Sequence, residues 1–222
     1  MKTYHKIQTI FLRSPESNYK QLMIGQWAKP EFELLKDLRW RWDEKIDGTN
    51  IRILWDGQDV SFAGKTDDAQ IPGHLLSVLP KLFTDEALKT VFGDTPACLY
   101  GEGYGLKIQK GGNYLPDRAS FILFDILIGR FYLTRDNLEG IARQLGIDVV
   151  PVVGYGTLDE AVEFTKMGYK SLIAQNKDYD AEGLILRPPL ELFNRAGERI
   201  IAKLKAKDFL IPEDKGRKLI AA

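Results

Sequence analysis

The spacing of hydrophobic positions changes repeatedly along the chain. In 40–42, 51–55, 98–100, 121–128, 183–187 and 199–204, β-branched and aromatic residues lie between turn signals, which predicts strands. Elsewhere the apolar residues recur at helical spacing. Phe32, Leu34 and Leu35 give 30–36 an apolar face, and Thr84 ahead of Asp85 and Glu86 opens a short helix that should stop at Gly93. Thr134 precedes Leu138, Ile141, Ala142 and Leu145, closed by Gly146. Thr157-Leu158-Asp159-Glu160 has the pattern of a capping box and predicts another helix through Val162 and Phe164. Strands and helices are interspersed without strict βαβ alternation, so an α+β fold with mostly antiparallel sheets is expected. No repeat, low-complexity tract or linker is visible, and one continuous domain over residues 1–222 is expected.

Composition narrows the class. At 44% hydrophobic and 28% charged, the 222 residues are ordinary for a globular chain. No apolar run reaches the ~18 residues of a membrane span, and Met1-Lys2-Thr3-Tyr4-His5-Lys6 does not read as a signal peptide. Cys98 is the only cysteine, which excludes an intramolecular disulfide and a cysteine zinc cluster. An intracellular, cytoplasmic setting is the simplest context. The 31 basic and 31 acidic residues cancel, so nucleic-acid binding would need a local basic face. His5 and His74 have no metal-like spacing.

Candidate chemistry starts at Glu44-Lys45-Ile46-Asp47-Gly48-Thr49-Asn50, at the end of an expected strand. Alone, Lys45 before Asp-Gly is most simply a solvated turn lysine, because Asp and Gly tolerate unusual backbone angles. Four further motifs change that weighting. They are Tyr100-Gly101-Glu102-Gly103-Tyr104-Gly105, Phe121-Ile122-Leu123-Phe124-Asp125-Ile126, Ala181-Glu182-Gly183-Leu184-Ile185-Leu186-Arg187 and Ala202-Lys203-Leu204-Lys205. A lysine amine, ordinarily near pKa ~10.4, attacks poorly at neutral pH until neighbouring cations disfavour its ammonium form. Lys203 and Lys205, two apart on a strand, would project from one face. Glycines around Glu102 would let a ligand approach the backbone closely. Phe124 and Asp125, as strand neighbours, would face opposite sides, leaving Phe124 to stack on a base or join the core.

In this order the five motifs resemble those of the covalent nucleotidyltransferase superfamily of DNA ligases, RNA ligases and capping guanylyltransferases. The resemblance spans most of the chain. It implies two mostly antiparallel sheets flanked by helices, with a nucleotide cleft between them. It implies that Lys45 attacks ATP and carries AMP, with Lys203 and Lys205 at the α-phosphate. Glu102 would accept from the ribose hydroxyls, Phe124 would meet the adenine, and Glu182 would position the lysine or hold a divalent cation, Mg²⁺ or Mn²⁺. Glu44, Asp47, Gly48, Asn50 and, more loosely, Lys65 complete the expected nucleotide-binding set.

Where DNA ligases and capping enzymes usually carry arginine, this chain has Asn50. Glu-Lys-x-x-Gly-Thr-Asn resembles the RNA ligase branch typified by the phage T4 RNA ligase 2 type. That implies joining of RNA 5′-phosphate and 3′-hydroxyl ends, as in RNA repair. The alternatives are a small DNA nick ligase, a GTP-using capping enzyme, or a non-catalytic nucleic-acid-binding module. Arg52, on the expected strand face of Asn50, would add charge or simply be exposed. The lysines and Tyr114 of 105–114 would contact a phosphate backbone or form a mobile basic hairpin. After Lys205 the remaining stretch, with Lys207, Lys215, Arg217 and Lys218, is expected to hold neither the OB-fold nor the helical domain of the larger relatives. A partner protein or a substrate-binding domain supplied in trans is then expected.

Overall fold

The computed structural model describes residues 3–209, so Met1, Lys2, Lys215, Arg217 and Lys218 lie outside the described residues. The first half holds β1 (Gln8–Thr9), β2 (Phe11–Arg13), β3 (Leu22–Trp27), α1 (Pro30–Leu34), β4 (Trp40–Glu44), β5 (Thr49–Trp55) and β6 (Val60–Ala63). Then come α2 (Gly73–Leu76), α3 (Leu79–Leu82), α4 (Asp85–Phe92), β7 (Ala97–Gly105), β8 (Ala119–Ile128) and β9 (Phe131–Tyr132). The rest is α5 (Arg135–Leu145), β10 (Asp148–Val149), β11 (Val152–Gly156), α6 (Leu158–Met167), β12 (Gly183–Arg187) and β13 (Ala202–Lys205). The class is α+β with mostly antiparallel sheets, as the interspersed pattern predicts.

The described residues cluster into two compact units. Residues 3–5, 46–150 and 173–176 form one, and residues 6–45, 151–172 and 177–209 the other. Each is assembled from separate stretches, so no linker marks either in the sequence. The first unit holds the sheet β10-β8-β7-β5-β6, with β9 paired to β8. Its core gathers Ile51, Ile53, Trp55, Leu99, Phe121 and Leu123 against Leu79, Phe83 and Leu88 from the helices. The second unit holds β1-β13-β12-β4-β11 and the pair β2-β3. There α6 lays Leu158, Ala161 and Val162 against Trp40, Trp42, Leu184, Leu186, Ala202 and Leu204.

Local chemistry explains the helix ends. Thr84 Oγ1 accepts from the Ala87 amide at 3.2 Å, and Thr157 and Glu160 complete the capping box of α6. Thr134 has the extended N-cap backbone, but its hydroxyl makes no capping bond. Several expected boundaries move: 40–42 extends to Glu44, 51–55 starts at Thr49, 98–100 grows into Ala97–Gly105 and 121–128 starts at Ala119. The helix from Pro30 stops at Leu34, and the last strand starts at Ala202 because Arg199 makes only an isolated bridge, to Phe193. The lone Cys98 thiol is buried, and burial pushes its pKa up to about 11 against the opposing Tyr100 hydrogen bond and Arg52 charge. Among the described residues no helix is long and apolar enough to cross a membrane.

Candidate active site

In the second unit, strand alternation sorts chemistry from core. Ala202 and Leu204 of β13 are buried in the apolar cluster, so Lys203 and Lys205 project from the other face. β12 runs antiparallel beside β13, pairing Ile185 with Lys203 and Gly183 with Lys205. The Lys45 amide donates to Gly183 O at 2.9 Å, and the Ala206 amide to Glu182 O at 2.9 Å. These bonds set Lys45, Glu182 and Lys205 at the same sheet end. Glu182 precedes the first residue of β12, Gly183. Its carboxylate accepts from Lys205 Nζ at 2.6 Å and forms a second, short ion pair with Lys45 Nζ.

Burial alone would raise the Glu182 pKa. The Lys45 charge and the hydrogen bonds from Lys205 and Lys45 outweigh it, holding the carboxyl below its usual range. Lys203 is pushed down to about 8, first by burial and then by the charges of Lys205, Lys45, Arg13 and Lys6. Sequence reading had missed Arg13 and Lys6. They reach this neighbourhood because β1 pairs in parallel with β13, with Thr9 opposite Lys203, and no local motif signals that pairing. Arg13 also pairs with Asp208 at 2.5 Å.

Glu44 does not join the lysines. Its buried carboxylate accepts from the Ser171 hydroxyl at 2.5 Å and the Leu172 amide at 2.8 Å. Burial raises its pKa, partly offset by those two bonds.

In the first unit, Ile51 and Ile53 point into the core while Asn50 stands across the ladder from Glu102. The Asn50 side-chain oxygen is buried and has no hydrogen-bond partner. Such an atom costs free energy unless something donates to it. Acceptors at both Asn50 and Glu102 suit a ligand that offers donors, such as hydroxyl or amino groups.

The glycines beside Glu102 do something other than expected. A Cβ at Gly101 would collide with the Phe121 ring, and one at Gly103 with Leu75. They make room for the protein's own core, not for a ligand. Gly48, likewise, is needed for its close approach to Gly103 and Glu102 and not for a left-handed backbone.

Phe124 and Asp125 also depart from expectation, since they do not face opposite sides. Tyr100 pairs with Asp125 but Gly101 with Leu123, which makes Phe124 the extra residue of a β-bulge. The bulge interrupts alternation, and both residues meet Tyr4. The Tyr4 hydroxyl donates to Asp125 at 2.8 Å, and its ring packs edge-on to Phe124 at 5.0 Å. Phe124 is half-buried, unlike the buried Phe121 and Leu123.

Arg52 is neither exposed nor a loose charge. Fully buried, it donates to Gly64 O at 2.8 Å and pairs with Asp67 at 2.7 Å. Lys65 is exposed on the loop that Arg52 anchors. The Asp47 amide donates to the buried Tyr114 hydroxyl at 3.1 Å.

A model of the RNA ligase family matches residues 38–205, beginning ahead of Lys45 and ending on Lys205. The chain belongs to the RNA ligase family. Naegleria gruberi RNA ligase with pyrophosphate is similar in fold, at 19% identity and a TM-score of 0.66 over 92% of this chain and 56% of that one. A variant of that ligase with ATP and manganese gives 20% identity and a TM-score of 0.63, over 81% and 54% of the two chains. Another variant, with AMP and manganese, gives 18% and 0.62, over 92% and 58%. The chain therefore spans little more than half the length of these family relatives. A comparison with curated proteins finds no match.

Among the described residues no group of three or more His, Cys, Asp and Glu side chains is placed to hold a metal ion. Glu182 is the carboxylate beside Lys45. A divalent cation here would be of the kind held by one carboxylate together with phosphates and water.

Proposed function

We propose that this member of the RNA ligase family is an ATP-dependent adenylyltransferase of the phage T4 RNA ligase 2 type, joining RNA 5′-phosphate and 3′-hydroxyl ends. The observation that carries the reading is the meeting of Lys45, Glu182 and Lys205 at one sheet end, with Lys203 on the same face. Asn50, in place of the arginine of DNA ligases and capping enzymes, favours RNA over DNA.

Deprotonated Lys45 attacks the α-phosphorus of ATP. A phosphorus–nitrogen bond forms, the bond to the bridging oxygen breaks, and pyrophosphate leaves with that electron pair. Lys203 and Lys205 stabilise charge on the α-phosphate, and Glu182 orients Lys45 before attack. Glu102 and Asn50 accept hydrogen bonds from the nucleoside, and Phe124 offers its ring to the base. Asp47 and Gly48 hold the loop, Lys65 supplies a phosphate contact, and Glu44 acts through the Ser171 and Leu172 contacts. A Mg²⁺ or Mn²⁺ ion at Glu182, when bound, would neutralise phosphate charge. AMP then passes to a 5′-phosphate, a 3′-hydroxyl attacks that activated end, and AMP is released. The nucleic-acid partner is RNA carrying those ends, in an intracellular setting.

Intact mass after incubation with ATP and Mg²⁺ tests the first step. Wild type should gain one adenylate, stable to base and lost in acid, while Lys45→Ala should gain none. An unchanged wild-type mass would overturn the reading. Adduct formation with GTP but not ATP would favour a capping enzyme, and sealing of all-DNA nicks in preference to RNA would favour a DNA ligase.

A further inference from the structure

Residues 106–113 lie outside the nucleotide-binding set, and the structure gives them a defined shape in place of a mobile hairpin. Ile108 is buried in the core of the first unit, and Tyr114 is fully buried. Gly111 is buried against Gly105, where a Cβ would collide with backbone. The loop is tied on several sides. His74 Nε2 lies 2.9 Å from Leu106 O, Gln175 N donates to Tyr114 O at 3.0 Å, and Asn176 N donates to Asn113 O at 3.1 Å.

Two non-glycine residues in this loop have left-handed backbones, Lys107 at φ 59° and Gln109 at φ 49°. A side chain disfavours this conformation, and strain of this kind collects at ligand clamps. The Ile108 amide between them donates inward, to Gly105 O at 3.1 Å, while its neighbours on either side do not, and open amides of this kind can bind anions. Among the described residues the amides of Lys107, Gln109 and Lys110 donate to no protein acceptor. The Lys107 and Lys110 side chains are exposed, and neither ammonium group has an ion pair there.

We propose that residues 106–113 hold the phosphodiester backbone of the RNA substrate, through the Lys107 and Lys110 ammonium groups and the open amides of Lys107, Gln109 and Lys110. This rests on the RNA ligase reading but concerns a surface apart from the adenylation residues. The loop also bears on Asp47 through Tyr114, so the strand is gripped next to the motif that follows Lys45 in sequence.

The test uses a fluorescent, 5′-phosphorylated single-stranded RNA, titrated by anisotropy over a range of salt, alongside lysyl-AMP formation by intact mass. Lys107→Ala with Lys110→Ala should weaken RNA binding about tenfold at low salt. It should flatten the plot of log K against log salt by roughly 1.4, at ~0.7 per phosphate contact. Lys107→Arg with Lys110→Arg should keep the wild-type slope, and adenylation should stay within about twofold in both. An unchanged slope in the alanine variant would overturn the proposal. So would an arginine variant as weak as the alanine one, or lost adenylation in an alanine variant that remains folded. Wild type that takes up AMP yet binds no RNA also overturns it, leaving the adenylation reading intact. Wild type that binds RNA through this loop but never takes up AMP would sink the adenylation reading alone.

Discussion

Lys45 and Lys205 hold Glu182 between them, so the charged side chains at this sheet end of the second unit find partners among themselves. In the first unit Asn50, across the ladder from Glu102, buries an oxygen to which nothing donates. One region pairs its polar groups internally, and the other leaves one buried oxygen without a partner among the described residues. In the first, stability and chemistry are tied to the same bonds, so a change to either moves both. In the second they separate, because an atom without a partner contributes nothing to holding the fold.

The sharpest way to break this contrast is at Lys203 and Lys205. Lys203→Ala or Lys205→Ala should slow lysyl-AMP formation by about 10²–10³-fold, the usual cost of removing one charge-stabilising donor. Initial rates from mass spectrometry would show it, and a loss under tenfold for both would dissolve the distinction.

Glu182→Gln comes next. With two ammonium groups left unneutralised, the variant should lose about 1–3 kcal/mol at neutral pH in urea unfolding. The sign with pH is fixed by the lowered Glu182 pKa. Its stabilisation is present above the unfolded value of 4.5 and fades as pH falls below it, so wild type and variant should converge in acid.

Phe124→Ala should raise the KM for ATP roughly tenfold, from a stacking contribution of ~1–3 kcal/mol, with a smaller change in the rate at saturating ATP. An unchanged KM would return Phe124 to the role of packing residue.

A milder effect follows from Lys203, charged below about 8 and neutral above it. The value of kcat/KM for ATP, which reports the free enzyme, should fall several-fold as pH rises through about 8. Lys203→Arg should move that alkaline limb upward. The same depression costs stability at neutral pH and is relieved between about 8 and 10.5, since there the unfolded chain keeps the proton and the folded one does not.

The smallest effect is the most discriminating. Asn50→Ala should not lower unfolding stability by more than ~0.5 kcal/mol, because the oxygen it removes is buried without a partner. ATP affinity should nevertheless weaken several-fold. A large loss of stability would show that the oxygen is satisfied in the folded protein.

The residues that meet at this sheet end were legible because each sits in a short contiguous motif, and Lys203 and Lys205 needed only strand alternation to share a face. The class of fold followed from interspersed strand and helix patterns in the same way. What stayed hidden depends on pairing across long separations. The bulge at Phe124 exists only in the register of β8 against β7, and it brings Phe124 and Asp125 onto one tyrosine 120 or so residues earlier. Arg52 has the alternation of an outward residue and is fully buried because Gly64 and Asp67 close over it. Gly101 and Gly103 looked like ligand-facing glycines, although their missing side chains serve Phe121 and Leu75.

The parallel pairing of β1 with β13 sets a schedule for making the protein. Gln8 leaves the ribosome long before its ladder partner Ala202. The intervening chain must be delivered before that edge of the sheet can close, and contacts so distant in sequence form slowly. Until then Lys203 and Lys205 have no seat beside Lys45. A nascent chain therefore holds Lys45 without those charged neighbours until β13 has been made.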